Sequence, residues 1–195
     1  MSSVSEKKVI GITGTMGAGK STVSAILAEK MPVADCDKIN AELLVPGREG
    51  YAALKEKGLL IADPQGMVDK KETARKIFSD PSFKKKYESV LHPLIVKKMD
   101  EWIEEQTGWC AMEVPLLFEL GLQDKFDEIW CVSCKDETAV ERLIKYRGFS
   151  CEEAAARIKN QLNREQKEKN SSHVLMNDAT RQDLEKQIAK LLSER

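Results

Sequence analysis

The stretch GITGTMGAGKST, Gly11–Thr22, decides how the chain is read. Four glycines fall within nine residues of it, at positions 11, 14, 17 and 19. Glycine weakens both strands and helices. Yet these glycines stand between an apolar run (Val9, Ile10, Ile12) and a run with helical spacing (Val23, Ile26, Leu27). Gly14-x4-Gly19-Lys20-Ser21 fits the pattern G-x-x-x-x-G-K-[ST]. In such a loop several backbone N–H groups turn inward onto one anion, and side chains at the tight positions would block the approach. The following helix adds its first-turn amides and the positive end of its dipole. Gly14, Gly17, Ala18, Gly19, Lys20, Ser21 and Thr22 are therefore expected to hold the phosphates of a nucleotide. Lys20 would reach the β- and γ-phosphates, and the Ser21 hydroxyl would ligand Mg²⁺. Gly11 lies inside the strand and is expected instead to admit a close neighbour.

Outward from the loop, short apolar runs alternate with helical patterns. KVIGIT, PVAD (Pro32–Asp35), WCAMEV (Trp109–Val114), EIWCVS (Glu128–Ser133) and HVLMN (His173–Asn177) read as five strands. Nearly continuous apolar runs suit strands buried on both faces of a parallel sheet, and the alternation with helices implies an α/β fold. The expectation is a P-loop NTPase-type three-layer sandwich with a five-stranded parallel sheet, forming a single unit over residues 1–195. Its core would comprise 1–47, 107–135 and 171–195. A helical insertion would span 48–106, and a helical lid would span 136–170. Asp80-Pro81 marks a helix start inside the first insertion. Ser150 to Glu153 fits a capping box, predicted to open one long, charged helix that serves as a solvated arm or mobile lid.

The composition excludes some classes of function. The 195 residues carry 31 Lys+Arg against 32 Asp+Glu, a balance unsuited to coating nucleic acid or an anionic membrane. No apolar stretch approaches a membrane span, and MSSVSEKK lacks the apolar segment of a secretory signal. A cytoplasmic protein with no obligate protein partner is expected. The five cysteines, an odd number, suit reduced thiols. Cys131-x-x-Cys134 lies inside an apolar run and reads as small buried residues at a strand end rather than as half of a zinc site.

The destination of the phosphate has to be read from other residues. Asp35 and Asp37, in VADCD, fall at the carboxyl end of the second strand, the edge where ligands sit in open α/β sheets. A carboxylate there could take the proton of an acceptor hydroxyl, help hold Mg²⁺, or simply cap the next helix. Glu113 is a further metal candidate. A guanine-reading N-K-x-D is absent, and Asp63-Pro64-Gln65-Gly66 reads as a turn. Helical insertions favour a small-molecule kinase, which must keep water from the γ-phosphate. Arg142 and Arg147 would then carry charge on the transferring phosphoryl group.

In this order the segments resemble the dephospho-coenzyme A kinases over Val9 to about Ile188. IGITGTMGAGKST, VADCDKINAELLVPG, GMVDKKETARKIFSD, LHPLI, VPLLFELGL and ERLIKYRGFSCEEAAARIKNQ are similar to that family's successive motifs. The resemblance implies transfer of the ATP γ-phosphate to the ribose 3′-hydroxyl of dephospho-coenzyme A, with Mg²⁺ as cofactor and Asp35 as catalytic base. It also implies an acceptor site lined by the insertion carrying His92 and by the loop after Val114, including Leu116. Lys84, in the run Lys84–Lys86, would draw the acceptor's pyrophosphate or face solvent. His92, before Pro93, would contact an acceptor phosphate or merely precede a helix. The chain departs from the family at Thr15, Ala41, Lys70, Ala139 and Ala179. In the lid, Tyr146 takes the place of an arginine, and Arg147 is displaced by one residue. The alternatives are another nucleoside, nucleotide or sugar kinase, or a nucleotide-binding regulatory module with no acceptor reaction.

Overall fold

The computed structural model describes residues 7–194. β1 (Lys8–Gly14) is buried from Val9 onward. With β2 (Val33–Asp35), β3 (Trp109–Glu113), β4 (Glu128–Ser133) and β5 (His173–Met176) it forms a parallel sheet of order β2-β3-β1-β4-β5. All five predicted strands are present. Ile10 stands opposite Ala111 on β3, and Ile12 stands opposite Trp130 on β4. The chain leaves β1 for β2 on one side of the sheet and leaves β3 for β4 on the other. Connections that part in this way open a crevice beyond the carboxyl ends of the strands.

Alternation along β1 assigns its side chains to two layers. Ile10 and Ile12 meet Val23 and Leu27 of α1 (Lys20–Ala28), and Leu184 and Ile188 of α9 (Arg181–Ser193). The opposite face carries Gly11. A Cβ there would lie 2.7 Å from Leu117 Cδ1 and 2.8 Å from Phe126 Cγ, so the close neighbour expected of Gly11 is the β3–β4 connection.

The chain divides into two compact units, one running up to Ala34 and resuming at Gln106, the other Asp35–Glu105. The helical unit thus begins ahead of residue 48, where the sequence placed it. It contains α2 (Cys36–Leu43), α3 (Glu49–Glu56), α4 (Lys70–Ser79) and α5 (Pro81–Glu104). Leu54, Phe83, Tyr87 and Leu91 form its core. Asp80 caps α5 by accepting from the Phe83 amide at 2.9 Å, with Pro81 at the helix start. Asp63 closes its turn by accepting from the Gln65 and Met67 amides. Pro93 lies inside α5, so His92 sits mid-helix rather than before a helix start. An interior proline removes one amide donor and costs about 3 kcal/mol, which a 24-residue helix with a packed face absorbs.

The segment after β4 differs from its prediction. α6 (Asp136–Arg147) buries Ala139 and Leu143. The single long helix expected after Ser150 is two helices, α7 (Cys151–Lys159) and α8 (Arg164–Lys169). The capping box of Ser150 and Glu153 is present. Asn163 breaks the run by accepting from the Gln166 amide at 2.8 Å, an alternative to continued helix that asparagine side chains readily supply. Nor is α8 a solvated arm, because Lys167 within it is fully buried.

Cys36, Cys110, Cys131 and Cys134 are buried and Cys151 is exposed. Burial, aided by the carboxylates of Asp37 and Asp35, pushes the Cys36 thiol up to about 12. Burial, with Glu168 adding, pushes Cys131 up to about 11, and burial also raises Cys110 and Cys134. Thiolate is the reactive form, so a raised pKa and burial act together. Iodoacetamide at pH 8 should therefore alkylate the folded protein at Cys151 alone, with the other four reacting only after unfolding. Rapid labelling of Cys36 or Cys131, read by peptide mass spectrometry, would contradict this.

Candidate active site

The loop between β1 and α1 takes the backbone form its sequence demands. Gly14, Gly17 and Gly19 have φ of 144°, 82° and 93°. Space is as restrictive as conformation: a Cβ on Gly14 would lie 2.1 Å from the Val132 carbonyl oxygen, and one on Gly19 would lie 2.2 Å from Asn177 Nδ2. Among the described residues no non-glycine has positive φ, so Thr15 occupies a position that never called for glycine. Its carbonyl accepts from the Ala18 amide at 3.2 Å and from Lys20 Nζ at 3.0 Å. Lys20 Nζ also donates to the Gly14 carbonyl at 3.1 Å, which sets the ammonium at the loop.

Gly19 caps α1 without a side-chain acceptor. α3 and α6 likewise begin without one, whereas α2, α4, α5, α7, α8 and α9 each begin at a side chain that accepts from the first turn. At α1 no side chain competes for the amides that an anion would take. Ser21 lies exposed in this first turn, beside Thr22, whose amide donates to the Gly19 carbonyl at 3.0 Å. Ser24, one turn on, donates to Glu113 Oε2 at 2.6 Å. Glu113 at the end of β3 therefore meets the helix face that carries Ser21, since residues three apart are neighbours on a helix.

Arg142 lies against the carbonyl side of the loop. Its guanidinium donates to the carbonyls of Gly17 at 3.5 Å, Ala18 at 3.4 Å and Asn177 at 2.8 Å. It thus braces the loop from α6 rather than standing on an outlying lid. Asn177 Nδ2 also donates to the Ala18 carbonyl, at 2.8 Å. Asn177 and Gln161, whose Oε1 accepts from the Met16 amide at 3.0 Å, are loop partners that the sequence reading missed. Uncharged amides carry no periodicity or charge pattern that would single them out.

The remaining expected residues are dispersed. Arg147 is exposed in the last turn of α6, which runs as unbroken α-helix until the left-handed Gly148. No local irregularity turns Arg147 back toward the direction of Tyr146, about 100° away. Leu116 is 39% exposed in the loop after β3. In the helical unit, Asp35 is half-buried and caps α2, accepting from the Asp37 amide at 2.9 Å and the Lys38 amide at 3.4 Å. Of the two aspartates, Asp35 is therefore the cap, and Asp37 sits exposed in the first turn of α2. His92 is half-buried on α5, and Lys84 is exposed, 3.8 Å from Glu88.

Among the described residues no three Asp, Glu, His or Cys side chains gather as a metal cage. Magnesium needs none where it arrives on nucleotide phosphates and takes one or two protein oxygens, and the Ser21 hydroxyl with Glu113 near its helix face suits that hard-oxygen demand.

A strand-loop-helix phosphate cradle at the switch point of a five-stranded parallel sheet defines the P-loop nucleotide-binding class. Known proteins narrow the class further. The profile of the family CoaE, dephospho-CoA kinase, matches residues 8–183, and the chain belongs to that family. It is 36% identical over 190 residues to the dephospho-CoA kinase of Gloeobacter violaceus, covering 96% of this chain and 93% of the relative. The crystal structure of TT1252 from Thermus thermophilus superposes with a TM-score of 0.82 at 34% identity, covering 97% of this chain and 98% of that one. The dephospho-CoA kinase from Campylobacter jejuni has a TM-score of 0.68 at 23% identity over 97% of each chain, a likeness of fold.

Proposed function

We propose that the protein transfers the γ-phosphate of ATP to the ribose 3′-hydroxyl of dephospho-coenzyme A, giving coenzyme A and ADP. The observation that carries this reading is the intact phosphate loop, with its uncapped helix start, in a chain whose family match runs over residues 8–183. Phosphoryl transfer passes through a loose transition state with in-line geometry, so the protein's work is positioning and electrostatics. The amides from Gly17 to Thr22 hold the phosphates. Lys20 neutralises charge on the β- and γ-oxygens. Arg142 keeps the loop carbonyls directed away from the phosphates, and Arg147 supplies a more distant positive charge. Ser21, with help from Glu113 or Asp37, would hold Mg²⁺, which would supply positive charge to the nucleotide phosphates. Asp35 orients the acceptor hydroxyl and takes its proton. His92, Lys84 and Leu116 contribute to acceptor binding.

No helix among the described residues is long and apolar enough to cross a membrane. ATP and dephospho-coenzyme A as substrates fit a cytoplasmic enzyme that works without an obligate protein partner.

A coupled ADP-release assay over a panel of acceptors tests the reading. Dephospho-coenzyme A should raise ADP release far above the acceptor-free rate, with phosphorus NMR placing the new phosphate on the 3′-oxygen. Turnover with a nucleoside or sugar and none with dephospho-coenzyme A would point to a different kinase. Nucleotide binding with no acceptor-dependent release would point to a regulatory module.

A further inference from the structure

α8 is held by an ion pair whose lysine is fully buried. Lys167 is 0% exposed, and its Nζ lies 2.9 Å from Glu119 Oε1 and 3.0 Å from the Pro115 carbonyl. A buried ammonium that loses its partners is heavily penalised, so this pair is a firm anchor for the chain on either side of it. The same Glu119 oxygen accepts from the Leu162 amide at 3.1 Å. The Pro115 carbonyl also takes the Thr13 hydroxyl, at 3.4 Å, where β1 enters the phosphate loop. Ser133 at the end of β4 is bonded to Glu168, the residue after Lys167. The segment leading into α8 is thereby tied to the carboxyl ends of β1 and β4 and to the loop after β3.

Gln161 precedes Leu162, the residue held by Glu119. Its side-chain oxygen reaches the Met16 amide, in the phosphate loop between the two bends at Gly14 and Gly17. Met16 N–H is directed at the α7–α8 junction, so it does not join the amides that turn inward, and left unpaired it would be free to draw the loop into another shape. A carboxamide satisfies this donor without adding charge. A carboxylate would satisfy it equally well but would put a negative charge beside a loop built for anions, well within a Debye length. We propose that Gln161, held in place by the Lys167–Glu119 pair, is a positioning residue that fixes the phosphate loop in its nucleotide-binding shape by engaging the Met16 amide. The inference rests on the reading that ATP occupies this loop.

The test compares full-length wild type with Gln161→Leu and Gln161→Glu. Equilibrium binding of a non-hydrolysable ATP analogue is read beside KM for ATP, KM for dephospho-coenzyme A and Tm. Gln161→Leu should bind nucleotide about tenfold more weakly, the order expected for one lost hydrogen bond. Its acceptor KM and Tm should stay at wild-type values. Gln161→Glu should be impaired most at low ionic strength and recover as salt is raised, a signature that a merely structural role would not produce. Wild-type nucleotide affinity in Gln161→Leu overturns the inference, as does an equal rise in both KM values with a falling Tm. Wild type is the control for the underlying reading: if it fails to bind the analogue, the nucleotide assignment falls and the role of Gln161 falls with it.

Discussion

Lys20→Ala should lower kcat by about 10²–10³-fold, the loss typical of removing one preorganised electrostatic contact to a transition state. Two effects combine in that figure. Lys20 Nζ is bonded to the carbonyls of Gly14 and Thr15, so its removal frees two loop acceptors as well as deleting the charge. Lys20→Arg separates them. Arginine keeps the charge, but its planar fork cannot reproduce a compact ammonium between two carbonyls 3.1 Å and 3.0 Å away. We expect the arginine variant to recover part of the nucleotide affinity and little of the turnover. The half-buried side chain sits at a helix start, so Tm should change little in either variant. A Lys20→Ala enzyme with wild-type kcat would remove Lys20 from the chemistry and leave it as a loop brace.

The parts of this protein legible from sequence are those in which side-chain pattern and backbone demand coincide. β1, β3 and β4 are buried strands between turns and show as apolar runs. The phosphate loop shows because only glycine has both the φ and the missing Cβ required at Gly14 and Gly19. Asp80 and Ser150 announce helix starts because a cap is a local interaction. What escaped the reading depends on distant partners. NREQKEKN has the composition of a solvated face, and nothing local tells that Lys167 is buried against Pro115 and Glu119. Asn163 ends the helical pattern through a side-chain bond that competes with a strongly helical composition. Arg142 stands out in the sequence as a charge on a helical pattern, but its direction, toward loop carbonyls, is set by where α6 packs. The start of the helical unit at Asp35 was hidden because α2 is short and its buried residues, Cys36 and Leu43, carry little pattern.

Asp35 has two candidate roles, and one substitution separates them. Both capping bonds, from the Asp37 and Lys38 amides, end on Oδ1. Oδ2 takes no part in the cap, so a hydroxyl could engage it while α2 stays in place. Asparagine caps helices as well as aspartate, because its side-chain oxygen accepts the same amides. Asp35→Asn should therefore leave Tm and ATP affinity near wild type. Lacking a carboxylate to take the proton, it should lose about 10²–10⁴-fold in kcat, the usual contribution of a positioned general base. Asp35→Ala removes cap and base together. It should match the asparagine variant in rate and fall below it in stability by about 1 kcal/mol. Equal rates with unequal stabilities would assign capping to Oδ1 and proton transfer to the carboxylate as a whole. If Asp35→Asn turns over like wild type while Asp35→Ala is merely less stable, Asp35 is a helix cap, and the acceptor's proton leaves by another route.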